Sequence, residues 1–134
     1  MATDPGPYHF DDARLVLGPG GDASPRPLTA DFYEALDRDF NGFAGHVLIS
    51  RHEFAQPWPT WEMHPEGDEF VCLIEGDVDF VLAMPDGERV VRVDRPGSFV
   101  VVPRGTWHTA RPRRPTCMLF VTPGEGTRNA ERPE

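Results

Sequence analysis

Hydrophobic residues follow a helical period in one segment of the chain. Between residues 28 and 40, Phe32, Leu36 and Phe40 recur at the spacing of successive helical turns. Thr29 is a suitable N-cap, and the Asn-Gly pair after Phe40 is typical of a helix end. We therefore predict one α-helix over Leu28–Phe40.

After this segment the pattern changes to short apolar runs separated by turn-forming residues. Pro, Gly and Asp cluster between the runs, and the Pro-Asp-Gly at residues 85–87 is a hairpin signal. The runs predict eight strands: His46–Phe54, Thr60–His64, Glu69–Glu75, Val78–Met84, Arg89–Val93, Ser98–Val102, Thr106–Ala110 and Cys117–Val121. Many short strands with dense turns favour an all-β sandwich or barrel over an α/β fold.

The two ends of the chain are rich in Pro, Gly and charged residues and show no sustained period. We therefore divide the chain into an N-terminal arm (1–27), a helix with its lead-in (28–43), a β-barrel (44–122) and a C-terminal tail (123–134). Within the arm, Ala13–Leu17 has the character of a short strand.

Composition limits the classes of function. The 134 residues suffice for one domain, and 39% of them are hydrophobic. The formal net charge is −9, which disfavours nucleic acid and anionic membranes as partners. The N-terminus has neither the basic start nor the apolar core of a secretory signal, and we expect a cytoplasmic protein. Both cysteines lie in apolar runs, as buried free thiols do.

Four residues are candidates for metal chemistry. Glu62 and His64 are two apart on a predicted strand, so their side chains share one face. Glu69 follows across a turn that could return the chain beside His64, and His108 comes after a very apolar strand. Buried acids and histidines are costly alone, and a cation offsets that cost.

Two stretches of the sequence carry a resemblance to a known family. Residues 62–76, EMHPEGDEFVCLIEG, resemble the first motif of the cupins, with a His, a Glu after a short gap and a Gly six residues beyond it. Residues 97–108, GSFVVVPRGTWH, are similar to the second cupin motif, Gly-x5-Pro-x-Gly-x2-His. The resemblance implies a double-stranded β-helix, or jelly-roll, barrel with one N-terminal α-helix.

The resemblance also implies a metal site, in which His64, Glu69 and His108 are ligands. The first His of the family's His-x-His is Glu62 here, which is the main departure from the motif. Glu62 as fourth ligand gives two imidazoles and two carboxylates, a set that suits Fe, Mn, Ni or Zn. If Glu62 is not a ligand, two histidines and one carboxylate bind the metal ion and leave coordination positions open. Glu62 is then a candidate catalytic base. A cupin without metal is the remaining alternative.

The resemblance implies a protein that binds one divalent metal ion and a small molecule inside the barrel. Several functions are compatible with this arrangement. The leading hypothesis is an enzyme of the cupin dioxygenase type acting on a small polar substrate. The alternatives are an isomerase or lyase that uses Glu62 as base, and a cupin that binds or senses a ligand without turnover. We also expect a homodimer, and the arm (1–27) could add a strand to a partner's sheet edge.

Overall fold

The structure, a computed structural model, describes residues 3–134, so that Met1 and Ala2 of the expected arm lie outside it. Within these residues there are nine strands: β1 (Ala13–Leu17), β2 (Ala23–Pro27), β3 (Val47–Phe54), β4 (Trp61–Met63), β5 (Glu69–Met84), β6 (Gly87–Val93), β7 (Phe99–Val102), β8 (His108–Thr122) and β9 (Arg128–Ala130). One α-helix, α1 (Phe32–Asp39), is followed by a 3-10 helix (Asn41–Phe43). The predicted all-β fold with one α-helix is confirmed.

Helix α1 begins four residues later than the sequence predicts. The hydroxyl of Thr29 donates to the carboxylate of Asp31 instead of capping the helix, so the prediction of Thr29 as N-cap was wrong. Phe32 and Leu36 are buried on the inner side of α1, as their spacing predicts. Neither helix of the described chain has the length and apolar character needed to cross a bilayer.

The strands form an antiparallel sheet that curls into a barrel with two walls. The first wall runs in the order β2, β1, β3, β8, β5, β7, and the second in the order β6, β5, β8, β4, β9. Strands β5 and β8 belong to both walls because each is long and bends between them. The sequence predicts each of these strands as two shorter ones, and the structure joins the two parts in both cases.

Gly76 makes the bend in β5 possible. Its φ is +128°, a conformation that side-chain-bearing residues rarely adopt, and a Cβ built there would lie 2.4 Å from Thr116 Oγ1. The pairing of β5 with β8 shifts register on both sides of this glycine. The sequence predicts a turn at Gly76, whereas in the structure this glycine lies in a bulge within a continuous strand.

The arm and the tail differ from the sequence prediction because both take part in the sheet. Strand β1 lies at the predicted position and pairs with β3, and β2 pairs with β1 although its sequence, ASPRP, gives no strand signal. Strand β9, in the expected tail, pairs with β4. The pairing partner supplies the order that the local sequence does not specify.

The main hydrophobic core occupies only one end of the barrel interior. The main core lies between the two walls and contains Val71, Leu73, Phe80, Met118 and Phe120, among others. At the other end α1 packs over β1 and β3 through a separate cluster of Val16, Phe32, Leu36, Phe43 and Leu48. A cavity remains between this cluster and the main core, and the candidate site lies in it.

Candidate metal centre

The candidate ligands meet where β4, β5 and β8 begin or end. Glu62 lies on β4 directly opposite His108, the first residue of β8. His64 follows the last residue of β4, and its carbonyl accepts a hydrogen bond from Gly105. Glu69 is the first residue of β5. Antiparallel pairing therefore brings together residues that are up to 46 positions apart in the sequence.

Glu69 lies between the two histidines. Its Oε1 is 3.1 Å from Nε2 of His108, and its Oε2 is 3.3 Å from Nε2 of His64. Two ligand atoms about 2.1 Å from one ion and at right angles to each other would lie about 3 Å apart. The separations match neighbouring positions around a single metal ion.

The other nitrogen of each imidazole is held by a hydrogen bond. Nδ1 of His108 lies 3.0 Å from the carbonyl oxygen of Thr106, which can only accept. Nδ1 of His64 lies 2.8 Å from Oγ1 of Thr127, whose own proton goes to the carbonyl of Gly124. Both Nδ1 atoms therefore donate, and in the neutral rings both Nε2 lone pairs face Glu69. This is the tautomer and orientation that metal-binding histidines have.

Three buried atoms at this point have no hydrogen-bond partner: Nε2 of His64, Nε2 of His108 and Oε1 of Glu69. The distances to Glu69 are short, but two lone pairs and a carboxylate facing one another repel unless a cation lies among them. The three side chains are at most 4% exposed, so water does not satisfy them. The residues present thus fit a metal ion, since it would satisfy all three atoms together.

The electrostatics of the site couple Glu69 and His108. Without a metal ion, the imidazoles are the cations available to Glu69: burial would raise the pKa of Glu69, but hydrogen bonds from the protonated rings of His108 and His64 and the charges of these rings outweigh it and lower the pKa to about 2. Burial would likewise lower the pKa of His108, and the Glu69 carboxylate reverses the sign, so this pKa lies above its usual value. The carboxylate of Glu69 therefore stays ionised and favours a positive charge beside it.

Glu62 lies at the edge of the same cluster. Glu62, His64 and His108 each offer a ligand atom, and these atoms lie within 4.8 Å of one another. Oε2 of Glu62 is 4.0 Å from Nε2 of His108, farther than the corresponding oxygen of Glu69, and its side chain is 34% exposed. Burial raises the pKa of Glu62, although the neighbouring histidines act against this. Glu62 thus faces both the cluster and the cavity.

The cavity in front of the cluster has a volume of about 690 Å³. Helix α1 and the 3-10 helix form one side, and β3, the loop before β4 and the segment before β9 form the others. Its lining comprises Tyr33, Leu36, Asp37, Phe43, Leu48, Ser50, His52, Glu53, Phe54, Trp58, Pro59, Thr60, Glu62, His64, Glu69, Phe120, Thr122, Gly124, Gly126, Thr127 and Asn129. This volume is in the range of small-molecule sites.

Comparison by sequence finds no match: no family model fits this chain, and no curated protein matches it. Comparison by structure does find neighbours. An oxalate oxidase aligns with TM-score 0.51 and 21% identity over 60% of this chain and 44% of its own. Bacillus subtilis oxalate decarboxylase aligns with TM-score 0.51 and 14% identity over 63% of this chain and 23% of its own. A cupin-2 domain protein from Shewanella frigidimarina aligns with TM-score 0.47 and 18% identity over 57% of this chain and 70% of its own.

The fold is that of the cupins. At these identities the likeness concerns the fold alone, and this chain spans less than half the length of the oxalate oxidase and of the oxalate decarboxylase. Within the cupin fold, the two sequence motifs are the segments that contribute the cluster: the first supplies Glu62, His64 and Glu69, and the second supplies His108.

The structure brings all four predicted site residues together, and it adds residues that no sequence motif marks. Thr127 holds His64, and Thr122 donates a hydrogen bond of 2.6 Å to Oε2 of Glu69. Trp58 and His52 line the cavity. Thr127 lies in the segment read as a tail, where no sequence signal marks it. Only the β9–β4 pairing brings it to the site.

Proposed function

We propose that this protein is a metal-dependent enzyme that acts on a small molecule in the barrel cavity. The observation that carries the proposal is the set of three buried, unpartnered atoms on His64, Glu69 and His108, which adjoin an open cavity. These three residues would hold one divalent ion, of the Fe, Mn, Ni or Zn group. The cupin fold accommodates such ions, since Bacillus subtilis oxalate decarboxylase carries Mn(II) centres.

The residues around the ion have distinct roles in this proposal. A bound ion would act as a Lewis acid toward an oxygen atom of the substrate or bind dioxygen. Thr127 and the carbonyl of Thr106 orient the two imidazoles, and Thr122 orients Glu69. Glu62 faces the cavity from the edge of the cluster, where it serves as fourth ligand or accepts a proton from substrate.

Dioxygenase-type chemistry is the leading form of the proposal. Two histidines and one carboxylate that adjoin an open cavity would supply the ligand set of non-haem Fe(II) oxygenases. An isomerase or lyase is the second candidate, and the observation that favours it is the position of Glu62 between the cluster and the cavity. A proton acceptor beside the substrate is what such reactions require.

Metal analysis and oxygen uptake test the proposal. The protein should purify with, or take up, close to one divalent ion per chain, and His108→Ala should abolish this. Loaded with Fe(II), it should consume oxygen when supplied with a substrate that fits the cavity. Metal binding without oxygen uptake, but with substrate proton exchange that Glu62→Gln abolishes, favours the isomerase or lyase. A chain that binds none of the four metals contradicts the proposal altogether.

We further propose that the protein forms a homodimer through the outside of the first wall. Ten of the residues that point away from the core on this wall are apolar, and Arg51 and Glu53 of β3 form a charged edge beside them; the ten are Leu15, Leu17, Val47, Ile49, Phe70, Cys72, Phe99, Val101, Leu119 and Val121. We call these residues the outer sheet face. Phe99 is 59% and Val101 is 53% exposed. One row of the face crosses five strands without a charged residue, from Leu15 to Val101.

The size of the outer sheet face favours a second copy as its occupant. Ten side chains on strands about 4.8 Å apart, in rows about 7 Å apart, cover on the order of 300 Å² in projection. A stable interface buries roughly 800 Å² per partner, so this face would form the apolar centre of the interface and a polar rim around it would supply the remaining area. The chain carries a net charge of −9, and two copies can approach where acidic groups are absent.

A further inference from the structure

We propose that the cavity beside the metal centre binds a small molecule that has a flat apolar ring and no negative charge, and that it discriminates against small dicarboxylates. This inference rests on the proposed function, because it concerns the substrate of the same site. Three features of the cavity carry it: an aromatic wall, the absence of cationic side chains, and the charge of the ligand set.

The aromatic wall consists of Phe54, Trp58 and Phe120, and all three line the cavity. The ring centre of Trp58 lies 5.6 Å from that of Phe54, 5.8 Å from that of Phe120 and 6.5 Å from that of His108. A molecule in contact with the metal centre therefore lies next to Trp58. Aromatic walls bind planar apolar rings through burial and stacking, and the negative faces of their rings repel a carboxylate.

The cavity lining contains no cationic side chain in the described part of the chain. None of the 13 arginines belongs to it, and the sequence has no lysine. The guanidinium of Arg14, behind His52, donates to the carbonyls of Phe10 and Ala13 and lines a separate small cavity. Burial lowers the pKa of His52, which keeps its ring uncharged at neutral pH. A bound carboxylate would therefore find no counter-ion on the walls.

Acidic groups border the cavity instead. Asp37 of α1 and Glu53 of β3 are among the residues that border it, and both are exposed. With both carboxylates ionised, Glu62 and Glu69 would neutralise a divalent ion, and the loaded centre would then add no net positive charge. The electrostatic field of the cavity thus favours neutral and cationic ligands.

The volume agrees with a ligand of one ring and its substituents. A cavity of about 690 Å³ is far larger than a two-carbon dicarboxylate, which would leave the aromatic wall in contact with water. A ring beside Trp58 would bury that apolar surface.

Three matched probes test the inference: 4-hydroxyphenylacetate, 4-hydroxyphenylethanol and tyramine. They share a phenol ring and differ in the charge of the side group. The protein is first loaded with Co²⁺, and its visible absorption is used to measure how much Co²⁺ is bound. Binding of each probe and of oxalate is then measured by calorimetry on loaded and metal-free protein. We expect the neutral and cationic probes to bind at least about tenfold more tightly than the anionic probe, and oxalate to bind most weakly.

Substitutions of Asp37, Glu53 and Trp58 test whether these residues cause the discrimination between the probes. The double variant Asp37→Asn with Glu53→Gln should reduce the ratio of the affinity for tyramine to the affinity for 4-hydroxyphenylacetate by at least about threefold. Asp86→Asn with Glu88→Gln, which removes the same charge from the β5–β6 hairpin, should leave the ratio unchanged. Trp58→Leu should weaken all three ring probes several-fold and leave Co²⁺ affinity unchanged.

The outcomes separate this inference from the proposed function. Failure to bind Co²⁺ contradicts the metal centre, while the probe ranking on metal-free protein still decides the inference about the cavity. Tight metal binding with oxalate or 4-hydroxyphenylacetate as the strongest ligand overturns this inference and leaves the metal centre standing. An equal response of the two double variants would also overturn it.

Discussion

At the scale of single residues, the candidate centre depends on groups that do not contact a metal ion themselves. His64 and Glu69 are each held by a threonine, and His108 by a backbone carbonyl. These contacts fix the tautomer of each ring and the direction of its Nε2 lone pair. The four candidate ligands could be found from the sequence because motif spacing marks them. Thr122 and Thr127 could not, because their role depends on where β8 ends and β9 begins.

Thr127→Val tests the orientation of His64. The substitution keeps the shape of the side chain and removes the partner of Nδ1, so the affinity for Zn²⁺ or Mn²⁺ should fall about tenfold or more. Thr109→Val is a matched control, because Thr109 is also buried and its hydroxyl donates to the carbonyl of Thr60. That variant should lose stability but keep its metal affinity. Equal affinities of Thr127→Val and wild type would contradict the positioning role.

The pH dependence of metal affinity follows from the charge on His108. Metal and proton compete for Nε2, and the Glu69 carboxylate holds the pKa of His108 above its usual value. The protonated ring predominates below that pKa, so affinity should be constant above it and should fall as the pH is lowered through it. The expected slope is about tenfold per pH unit for one displaced proton. Titrations with Zn²⁺ between about pH 5 and pH 8 measure it. An affinity that does not change over this range counts against His108 as a ligand.

At the scale of secondary-structure elements, β5 and β8 decide the shape of the barrel. The sequence predicts their two ends as separate strands because Gly76 and the Arg- and Pro-rich segment 111–115 look like breaks. In the structure both strands are continuous, because the first half of β5 pairs with the second half of β8 and the second half of β5 pairs with the first half of β8. Local sequence indicates where a strand bends, and the neighbouring strand determines whether it ends there.

Gly76→Ala tests the bend. A Cβ at this position would meet Thr116 at contact distances as short as 2.4 Å, whereas a Cβ at Gly87 would meet nothing within 4 Å. The two glycines have similar φ values, +128° and +124°, so backbone strain is matched. Gly76→Ala should destabilise the protein by about 2 kcal/mol more than Gly87→Ala, measured by urea unfolding. Equal losses would indicate that the close approach to Thr116 is not needed.

At the scale of the whole molecule, the barrel has two different outer walls. The outside of the second wall carries a cluster of Trp61, Met63, Val81 and Trp107, all buried, with Ala130 of β9 packed against it. The outside of the first wall has no such cover on the described residues Phe99 and Val101, which remain exposed. The proposed dimer accounts for this difference. Moreover, the arm that was expected to reach a partner pairs with β3 of its own chain.

Light scattering tests the dimer. We expect wild-type protein at micromolar concentration to have twice the 15.0 kDa mass of the chain. Phe99→Lys with Val101→Lys should shift it to 15.0 kDa, because two charges would be buried in the interface. Val90→Lys is the control: Val90 is 54% exposed on β6, away from the outer sheet face, and should leave the mass unchanged. A wild-type mass of 15.0 kDa would refute the proposal.

The sequence by itself determined the class of the fold, the position of α1 to within a few residues, and the four candidate ligands. These features are local: periodicity, turn residues and motif spacing are properties of neighbouring positions. The tertiary structure decided which predicted strands are continuous, that residues from the arm and the tail belong to the sheet, and that Thr127 holds His64. It also decided the charge and shape of the cavity. These features depend on long-range pairing, which a single sequence does not encode in any local pattern.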